Sequence, residues 1–521
     1  MKNHEALLSS LLPGHTAEFT GNVARVAVTA ESLRGVFNSL DTHGLPLITL
    51  FATDDRASLG AFRIHYVFGI PKHESFFIVL TLTVEGTTFP SLARNYPKTS
   101  MYEREIMSMF GLTAEGHPDP RSVILHEENW PKNTFPLRKD FAWNTKVPET
   151  KAGTYTFNVV KGEGIYEIPV GPVHAGIIEP GHFRFSMAGE EMVALEPRLG
   201  WVHKGVEKLF ENLPLAKHTT LAERISGDTS FAHALAYSQG IETLTKSTVP
   251  DRARFLRVIY AEMERVANHC GDIGAMMLDT GYSFGGSNGA RLRERVMQMN
   301  GTLTGSRFLR GVVIPGGVTK DISKESQTEL KDFLSDIRKD FAQVIEVADN
   351  DPTLANRLVT TGRLSREVAE DYGALGIAAR CVGVEKDVRV EYPYAAYDSF
   401  TVPIAIEQDG DVNARFHVRI REVFASIDLI IEALDLIPDG EIIRPMHKIP
   451  DAGMAISVVE GWRGEIAYAL IAEKGVLTRV KVRDTSFINW QLFPHIIHKD
   501  IVPDFPLINK SFNLSYTGND L

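Results

Sequence analysis

The sequence contains very little cysteine: two residues among 521, Cys270 and Cys381, which lie far apart. So few thiols exclude a disulfide framework and indicate a reducing compartment. Two isolated cysteines cannot supply the four thiolates that an iron–sulfur cluster takes from its protein. We therefore expect the chain to hold no cluster of its own, and we expect both thiols to be buried in a core.

Long apolar runs and an excess of positive charge are also missing. No stretch of about eighteen apolar residues is present, so no membrane-spanning helix is predicted. The N-terminal residues lack the apolar core and cleavage site of a secretory signal. The formal net charge of −11 argues against nucleic acid as a partner. A hydrophobic fraction of 44% with 23% charged residues is ordinary for a globular chain.

The first part of the chain predicts a small α+β domain. Two apolar runs within 62–84 are joined by a short turn and predict a strand hairpin. Helix-like runs at 30–40 and 100–110 flank this hairpin. Strands and helices in one segment indicate an α+β fold, and we assign residues 1–145 to this domain.

An aperiodic stretch rich in Pro, Asn, Lys and Trp then separates two patterns, and we expect the domain boundary at 142–154. The second domain, 155–521, begins with predicted strands around a Gly/Pro/His turn at 155–184. Another strand-rich patch covers 453–482. Helices dominate the rest, so we expect a large helical bundle with small sheets at its edges.

The clearest predicted helix covers 326–348. An apolar stripe at helical spacing runs along it, and Ser326 with Glu329 predicts a capping box at its start. A second predicted helix, 420–436, is apolar nearly all round, which is typical of a helix buried among other helices.

The turn RISGDTS resembles a metal site without ligands. Ser226 and Thr229 stand three residues apart, a spacing at which two cysteines often hold a metal. Asn513 and Tyr516 repeat that spacing near the C-terminus. None of the four offers a soft ligand, so the spacing alone is no evidence for a metal.

Two further stretches carry groups that can move protons. His174, Glu179 and His182 share one Gly/Pro-shaped loop, where a buried glutamate could pass protons. Residue types alone favour a simple polar turn. On the helix-like run 264–272, His269 stands three residues before Asp272, and a carboxylate beside an imidazole tunes a proton acceptor near neutral pH. A structural ion pair explains that run equally well.

The segment YEREIMSMFG, residues 102–111, predicts a charged helix that ends at a glycine. Loops rich in Pro and Arg follow at 116–121 and 135–141. Long ordered loops usually serve a partner or a function. No nucleophile–base pair is present, so docking onto another subunit fits this region better than catalysis.

Together, these motifs resemble one family in collinear order. Residues 1–145 resemble the 30-kDa-type subunit of respiratory complex I through ERE, MFG, GHPDPR and PLRKDF. Residues 155–521 resemble the large subunit of group 4 energy-converting nickel–iron hydrogenases and the 49-kDa-type subunit of complex I. This second resemblance rests on the motifs GPVHAGIIEPGHFRF, WVHKGVEKL, ERVANHCGDIG, the run 387–397 and VEGWRGE. The fusion of both parts is similar to formate-hydrogenlyase-type large subunits.

The resemblance also interprets the two ligand-like pairs. Nickel-containing members of the family carry Cys-x-x-Cys at the positions of Ser226 and Thr229 and again at those of Asn513 and Tyr516. Oxygen and amide groups cannot replace four thiolates around nickel. We therefore expect a site without metal, surrounded by the loop 171–184, the turn and the tail. An open cavity admits an acceptor, whereas Tyr516 pointing inward would plug it.

The remaining family positions imply proton and electron traffic. Glu179 matches the glutamate that carries protons in hydrogenases. In complex I a histidine on the first sheet loop and a tyrosine contact quinone, whereas this sequence has Gly227 where the tyrosine is expected. Lys204 stands where complex I has an arginine beside the terminal cluster. The predicted catalytic residues are His174, Glu179, His182, Asp228, His269 and Asp272, and those near the partner's cluster are Arg184, His203 and Lys204.

Two functional classes follow from the resemblance. The favoured one is a redox subunit, which lines a quinone-type cavity beside an iron–sulfur cluster held by a partner subunit. In that class the expected partners are an iron–sulfur small subunit and membrane subunits that translocate ions, and the chain lies peripherally on the cytoplasmic face of the membrane. The alternative is a non-catalytic coupling subunit. A working hydrogenase is a remote third interpretation, because the thiolates are missing.

Overall fold

A computed structural model represents the 521-residue chain and describes residues 2–72, 75–148, 150, 153–174, 178–497 and 499–521. Helices and small sheets together confirm the expected α+β class. The predicted boundary at 142–154 is described only in part, so the division into domains stays a prediction.

The N-terminal part contains the predicted hairpin and both predicted helices. Its strands are β1 Ala17–Thr20, β2 Val23–Val28, β3 Leu47–Asp55, β4 Ala61–Ile70, β5 Phe76–Val84, β6 Thr88–Pro90 and β7 Thr113–Glu115. Its helices are α1 Lys2–Leu11, α2 Ala30–Thr42, α3 Arg56–Leu59 and α4 Ser100–Phe110.

Five of these strands form one sheet in the order β1-β2-β5-β4-β3, antiparallel except for the parallel pair β2 and β5. Both faces of the central strands β4 and β5 are buried. Tyr66 and Leu80 pack on one face, against the helices of the N-terminal part. On the other face Phe51, Val67 and Val79 join the core of the second part. The apolar runs of β4 and β5 are nearly continuous because neither face meets water.

Most of the helix in the chain belongs to the second part. The strands of this part are β8 Ile165–Val170, β9 His182–Ala188, β10 Glu191–Arg198, β11 Val313–Ile314, β12 Gly317–Val318, β13 Ala452–Glu460, β14 Glu465–Glu473 and β15 Val476–Arg483. The helices are α5 Val206–Asn212, α6 His218–Ala222, α7 Ser230–Thr245, α8 Asp251–Asp279, α9 Ser283–Thr304, α10 Lys324–Asp349, α11 Pro352–Leu358, α12 Arg366–Tyr372, α13 Ile377–Arg380, α14 Val388–Glu391, α15 Val412–Leu436, α16 Thr485–Asn489, α17 Phe493–Ile496, α18 Phe505–Phe512 and α19 Tyr516–Asp520.

Two details of the predicted helices are wrong. The helix predicted at 326–348 is α10, which starts two residues earlier, at Lys324. Its N-cap is Ser323, whose hydroxyl accepts from the backbone N–H of Ser326 at 3.2 Å. The capping box from Ser326 to Glu329 is therefore absent, because Ser326 already lies in the first turn. The helix predicted at 420–436 begins at Val412, where Asp411 caps it.

The second part buries its long helices against one another and against a sheet. Antiparallel strands β13, β14 and β15 form a three-stranded sheet, and β10, β9 and β8 form another. The sequence pattern predicts strands from residue 155, but the first strand of this stretch, β8, begins only at Ile165. Polar hydrogen bonds also join the two parts: Arg483 donates to the Ile48 carbonyl, and Lys481 pairs with Glu105 at 2.6 Å.

Candidate functional site

The three segments that the family resemblance groups around the lost metal meet in the structure. They enclose a cavity of about 480 Å³, here called the main cavity. One wall is formed by Ile178 and Glu179, and the turn 226–228 forms a second. The α8 residues from Asn268 to Asp279, the tail 506–517, Arg293 and Arg463 complete it.

Local helix boundaries expose the turn and the tail to this cavity. Thr229 donates its backbone N–H to the Ser226 carbonyl at 3.1 Å, which closes a tight turn just before α7. Asn513 has a left-handed φ of 45° and ends α18. Ser515 then caps α19 by accepting from the Gly518 N–H at 2.8 Å. The ends of these helices thus direct polar groups into the cavity.

Asp228 holds the most tightly bonded carboxylate of the cavity. The guanidinium of Arg463 binds both its oxygens, at 2.8 and 2.6 Å. The hydroxyls of Ser226 and Thr229 also donate to it. Burial opposes ionisation, but the Arg463 charge and these hydrogen bonds outweigh it and hold the pKa of Asp228 well below its ordinary value. Asp228 is therefore a fixed negative charge and a poor proton donor.

The four positions of the family's ligand pairs hold other bonds. Ser226 and Thr229 direct their hydroxyl hydrogens to Asp228. Asn513 donates from Nδ2 to Asp272 at 2.7 Å. These neutral oxygen and amide groups serve hydrogen bonds and offer no soft donor.

Tyr516 does not plug the main cavity. Its ring packs beside Trp490, with centroids 5.0 Å apart, and near Phe183. Its hydroxyl accepts from Asn509 at 3.3 Å. Gly181 lies against the ring, where an added Cβ would come within 2.4 Å of it. The side chain forms part of the cavity wall, and the space beside it stays open.

No metal-binding group replaces the lost thiolates in the described ranges. Cys270 and Cys381 are both buried, as predicted, and neither lines the main cavity. No cluster of three or more His, Cys, Asp or Glu side chains suited to a metal occurs there either. The donor set therefore does not fit a nickel–iron centre.

We expect the purified chain to contain no stoichiometric nickel, because hydroxyl and amide groups at the four positions cannot replace thiolates. Elemental analysis after mild purification measures this. A nickel-containing hydrogenase large subunit prepared in the same way is the control. About one nickel per chain in this protein would contradict the prediction.

The predicted pairing of His269 with Asp272 is wrong. His269 is fully buried and donates from Nε2 to Glu422 of α15 at 2.7 Å. Asp272 instead accepts from Arg419 at 3.0 Å and from Asn513. Burial lowers the pKa of His269, and Glu422 opposes that shift. Residues three apart are neighbours on a helix surface, but α15 packs against α8 and brings Glu422 directly onto His269.

Beyond His269 lies a fully buried group of charges, here called the arginine–glutamate cluster. Arg380 forms ion pairs with Glu422 and Glu460, both at 2.8 Å. The other members are Arg265, Arg389, Glu262 and Asp387. Together they tie α8, α13, α14, α15 and β13 to one another.

The loop before β9 contributes only one of its predicted residues to the cavity. Glu179 lines it and accepts from the Thr517 backbone N–H at 3.1 Å. His174 donates from Nε2 to the Gly181 carbonyl at 2.8 Å, and His182 donates to the Gly171 carbonyl at 3.3 Å. Neither histidine lines the main cavity in the described part of the loop, which omits residues 175–177.

The residues predicted near a partner's cluster are held by backbone groups or by local pairs. His203 donates to the Asp520 carbonyl at 2.7 Å. Lys204 donates to two carbonyls of the segment before the Ser226 turn. Arg184 pairs with Glu167 at 2.8 Å. None of the three lines the main cavity, and their role towards a cluster stays a prediction.

Sequence reasoning missed three cations of the cavity. Arg463 holds Asp228 in place. In the sequence, its motif VEGWRGE indicates only a family resemblance and no contact with Asp228. Arg293 and Lys510 also line the cavity, and both are half-buried. Within the described ranges, neither has a hydrogen-bond or ion-pair partner. No sequence signal distinguishes them from the other charges on their helices.

Comparisons with known proteins agree with this architecture. The family model of the 49-kDa subunit of respiratory-chain NADH dehydrogenase matches residues 279–452 and 445–520. The model of its 30-kDa subunit matches residues 26–147. Both matches follow the order of the two parts of the fold.

Individual relatives cover two thirds or more of the chain. Formate hydrogenlyase subunit 5 of Escherichia coli is 31% identical over 481 residues, which are 91% of this chain and 84% of the relative. Hydrogenase-4 component G of the same organism is 32% identical over 91% of this chain and 83% of its own length. NADH-quinone oxidoreductase subunit 4 of Thermus thermophilus is 30% identical over 67% of this chain and 92% of its own length.

In the described ranges, no helix is both long and apolar enough to cross a membrane. The two family models and the relatives that span both parts agree with one another. The chain belongs to the family of large subunits shared by complex I-type NADH dehydrogenases and group 4 hydrogenases, with a 30-kDa-type part fused to a 49-kDa-type part.

Proposed function

We propose that this chain binds an organic electron acceptor of quinone type in the main cavity. As a member of its family, the chain is a subunit of an oxidoreductase complex. In the proposed reaction, electrons come from a cluster in a neighbouring iron–sulfur subunit. Reduction of the acceptor then drives ion translocation by membrane subunits, and the chain lies peripherally on the cytoplasmic face.

The observation that carries this proposal is the open main cavity, whose lining offers two kinds of surface. Ile178, Leu514 and the ring of Tyr516 supply apolar surface. Arg293 and Lys510 supply hydrogen-bond donors that have no partner in the described part of the chain. A quinone headgroup has a flat apolar ring and two acceptor oxygens. Such a ligand matches both kinds of surface, because ligand sites combine apolar surface with a few placed polar groups.

The cavity also has groups that could handle the protons of this reaction. A quinone takes up two electrons and two protons, with one proton at each oxygen. Glu179 lines the cavity, and within the described ranges its carboxylate accepts one backbone hydrogen bond, from Thr517. Asp228 is held as an anion by Arg463, so it stabilises positive charge and does not supply a proton. Asp228 and Asp272 are both paired with arginine, so we assign the proton transfer to Glu179, the remaining predicted site carboxylate that lines the cavity.

The alternative is a coupling subunit that binds nothing redox-active. A scaffold needs no open cavity, and a large side chain at position 516 could fill the former metal volume. The position of Tyr516 beside Trp490 leaves that volume accessible and supports the redox function. The hydrogenase alternative conflicts with the donor set at the family's ligand positions.

Replacing Arg293 by glutamine tests the proposed acceptor site. We expect the KM for a short-chain quinone, measured on the purified complex, to rise roughly tenfold, because a charged donor to the acceptor oxygen is lost. Arg291→Gln is the matched control. Arg291 lies on the same helix but pairs with Asp340 and is 45% exposed. An unchanged KM in R293Q, or an equal rise in R291Q, would contradict the proposed site.

A further inference from the structure

A small side chamber adjoins the main cavity on the far side of Asp228. It has a volume of about 20 Å³, which is room for one water molecule. Asp228, Asn268 and Arg293 line both spaces and separate them. Glu264 and Asn300 line the side chamber only.

Asn300 gives the side chamber an unsatisfied acceptor. The side chain is 2% exposed, and its Nδ2 donates to the Arg307 carbonyl at 3.3 Å. Its Oδ1 has no hydrogen-bond partner in the part of the chain that the structure describes. Buried polar atoms are nearly always paired with protein or with ordered water. A water in the side chamber would satisfy this oxygen.

Glu264 is the titratable group of the side chamber. Its carboxyl oxygens accept the backbone N–H groups of Phe231 at 2.7 Å and of Ala232 at 3.2 Å, at the start of α7. Burial raises the pKa of Glu264 to about 8. The two N–H groups oppose the shift, and the charge of Asp228 adds to it. The group therefore carries a proton at neutral pH.

Charged groups surround Glu264 from several elements. Asp228 lies in the turn before α7, and Arg265 follows Glu264 on its own helix. Arg293 of α9 and Arg307, just after that helix, line the chamber. Arg307 is 50% exposed, so the outer wall of the chamber lies at the protein surface.

We propose that Glu264 is a proton donor for the main cavity, acting through one water held in the side chamber by Asn300. The O–H bond of Glu264 breaks, and its proton passes to the water oxygen. That water releases one of its own protons past Asn268 towards the acceptor oxygen. The Phe231 and Ala232 N–H groups then stabilise the Glu264 carboxylate until bulk water reprotonates it from the Arg307 side. This step rests on the proposed acceptor site.

The test combines an activity-independent spectrum with turnover. Infrared spectra of the purified complex, recorded across the pH range without an acceptor, should show a protonated-carboxyl band that titrates near pH 8. Glu264→Gln should remove this band, and Asn300→Leu should shift its frequency, because the bonded water is lost. Glu103→Gln is the control: burial raises the pKa of Glu103 to about 7, but this residue lies in α4 and lines neither space.

Quinone turnover then gives the functional result. Wild-type turnover should fall as the pH rises above 8, whereas E264Q should be slower by roughly 10- to 100-fold below pH 8 and lack that fall. Glu103→Gln should keep the wild-type pH profile. Wild-type turnover in E264Q, or an unshifted band in N300L, would overturn the proton-donor proposal. If no quinone is reduced by the wild-type complex, the acceptor site fails, while the band still reports on Glu264 and its water.

Discussion

Replacing Arg380 by methionine is expected to lower the free energy of unfolding by about 3–5 kcal/mol, because it removes the nearest counter-ion of two buried glutamates. Arg380 is fully buried and pairs with Glu422 and Glu460 at 2.8 Å each. Neither carboxylate can reach water once the guanidinium is gone. Urea unfolding followed by tryptophan fluorescence measures the change, since Trp462 and Trp490 are both buried in the same part of the fold.

The free energy of unfolding that R380M loses should depend on pH. Burial opposes ionisation of Glu422, but the charge of Arg380 and the hydrogen bond from His269 hold its pKa well below the ordinary value. A depressed pKa stabilises the fold above the unfolded pKa, and this contribution is lost as the pH falls through the folded value. Without Arg380 the pKa of Glu422 rises. The difference between R380M and wild type should therefore be largest at neutral pH and should shrink as the pH falls below the ordinary glutamate value of about 4.3.

Two further variants separate charge from general damage. Arg380→Lys keeps the positive charge but loses the planar fork, so an intermediate loss is expected. Arg366→Met removes an exposed arginine paired with Glu370 and should cost less than about 1 kcal/mol. An unfolding midpoint of R380M equal to that of R366M would show that the arginine–glutamate cluster does not stabilise the fold.

Replacing Glu179 by glutamine is expected to lower quinone turnover by at least about 100-fold, because a positioned proton donor is lost. The amide oxygen of glutamine can still accept from the Thr517 N–H, so the loop and the tail should stay joined. Turnover of the purified complex measures the first effect. Its elution volume in size exclusion measures assembly, which should be unchanged.

Glu190→Gln is the matched control for this variant. Glu190 lies exposed in the turn between β9 and β10, whereas Glu179 lies in the loop before β9. Glu190 lines no part of the main cavity. It should have wild-type turnover. If E179Q also turns over like wild type, the carboxylate of Glu179 is only a remnant of the family's proton path. If E179Q fails to assemble, the carboxylate is instead needed to hold the tail.

Much of the local structure follows from residue patterns. The apolar runs of β4 and β5 and the helical stripe of α10 lie where the sequence pattern predicts them, because burial on a fixed face repeats along the chain. The ends of elements follow less directly from these patterns. Ser323 rather than Ser326 caps α10, since either serine can accept an N–H and only the backbone path decides which one does.

Residue types and family position also gave the outline of the candidate site. The absence of four thiolates follows from composition alone, and the family resemblance brings together the turn at Ser226, the loop at Glu179 and the tail at Asn513. The resemblance does not reveal Arg293 and Lys510, whose importance depends on having no partner within the described ranges. That property exists only after the surrounding side chains have been placed.

The sequence by itself determined that this chain has helices and small sheets in two patterns, few thiols and no ligands for nickel. Only the tertiary structure decided which charges meet: His269 with Glu422, Asp272 with Arg419, and Asp228 with Arg463. It also decided that Tyr516 leaves the cavity open. Periodicity reports the surroundings of neighbouring residues, whereas these pairs join segments far apart in the chain, and the choice among several nearby partners depends on how helices pack.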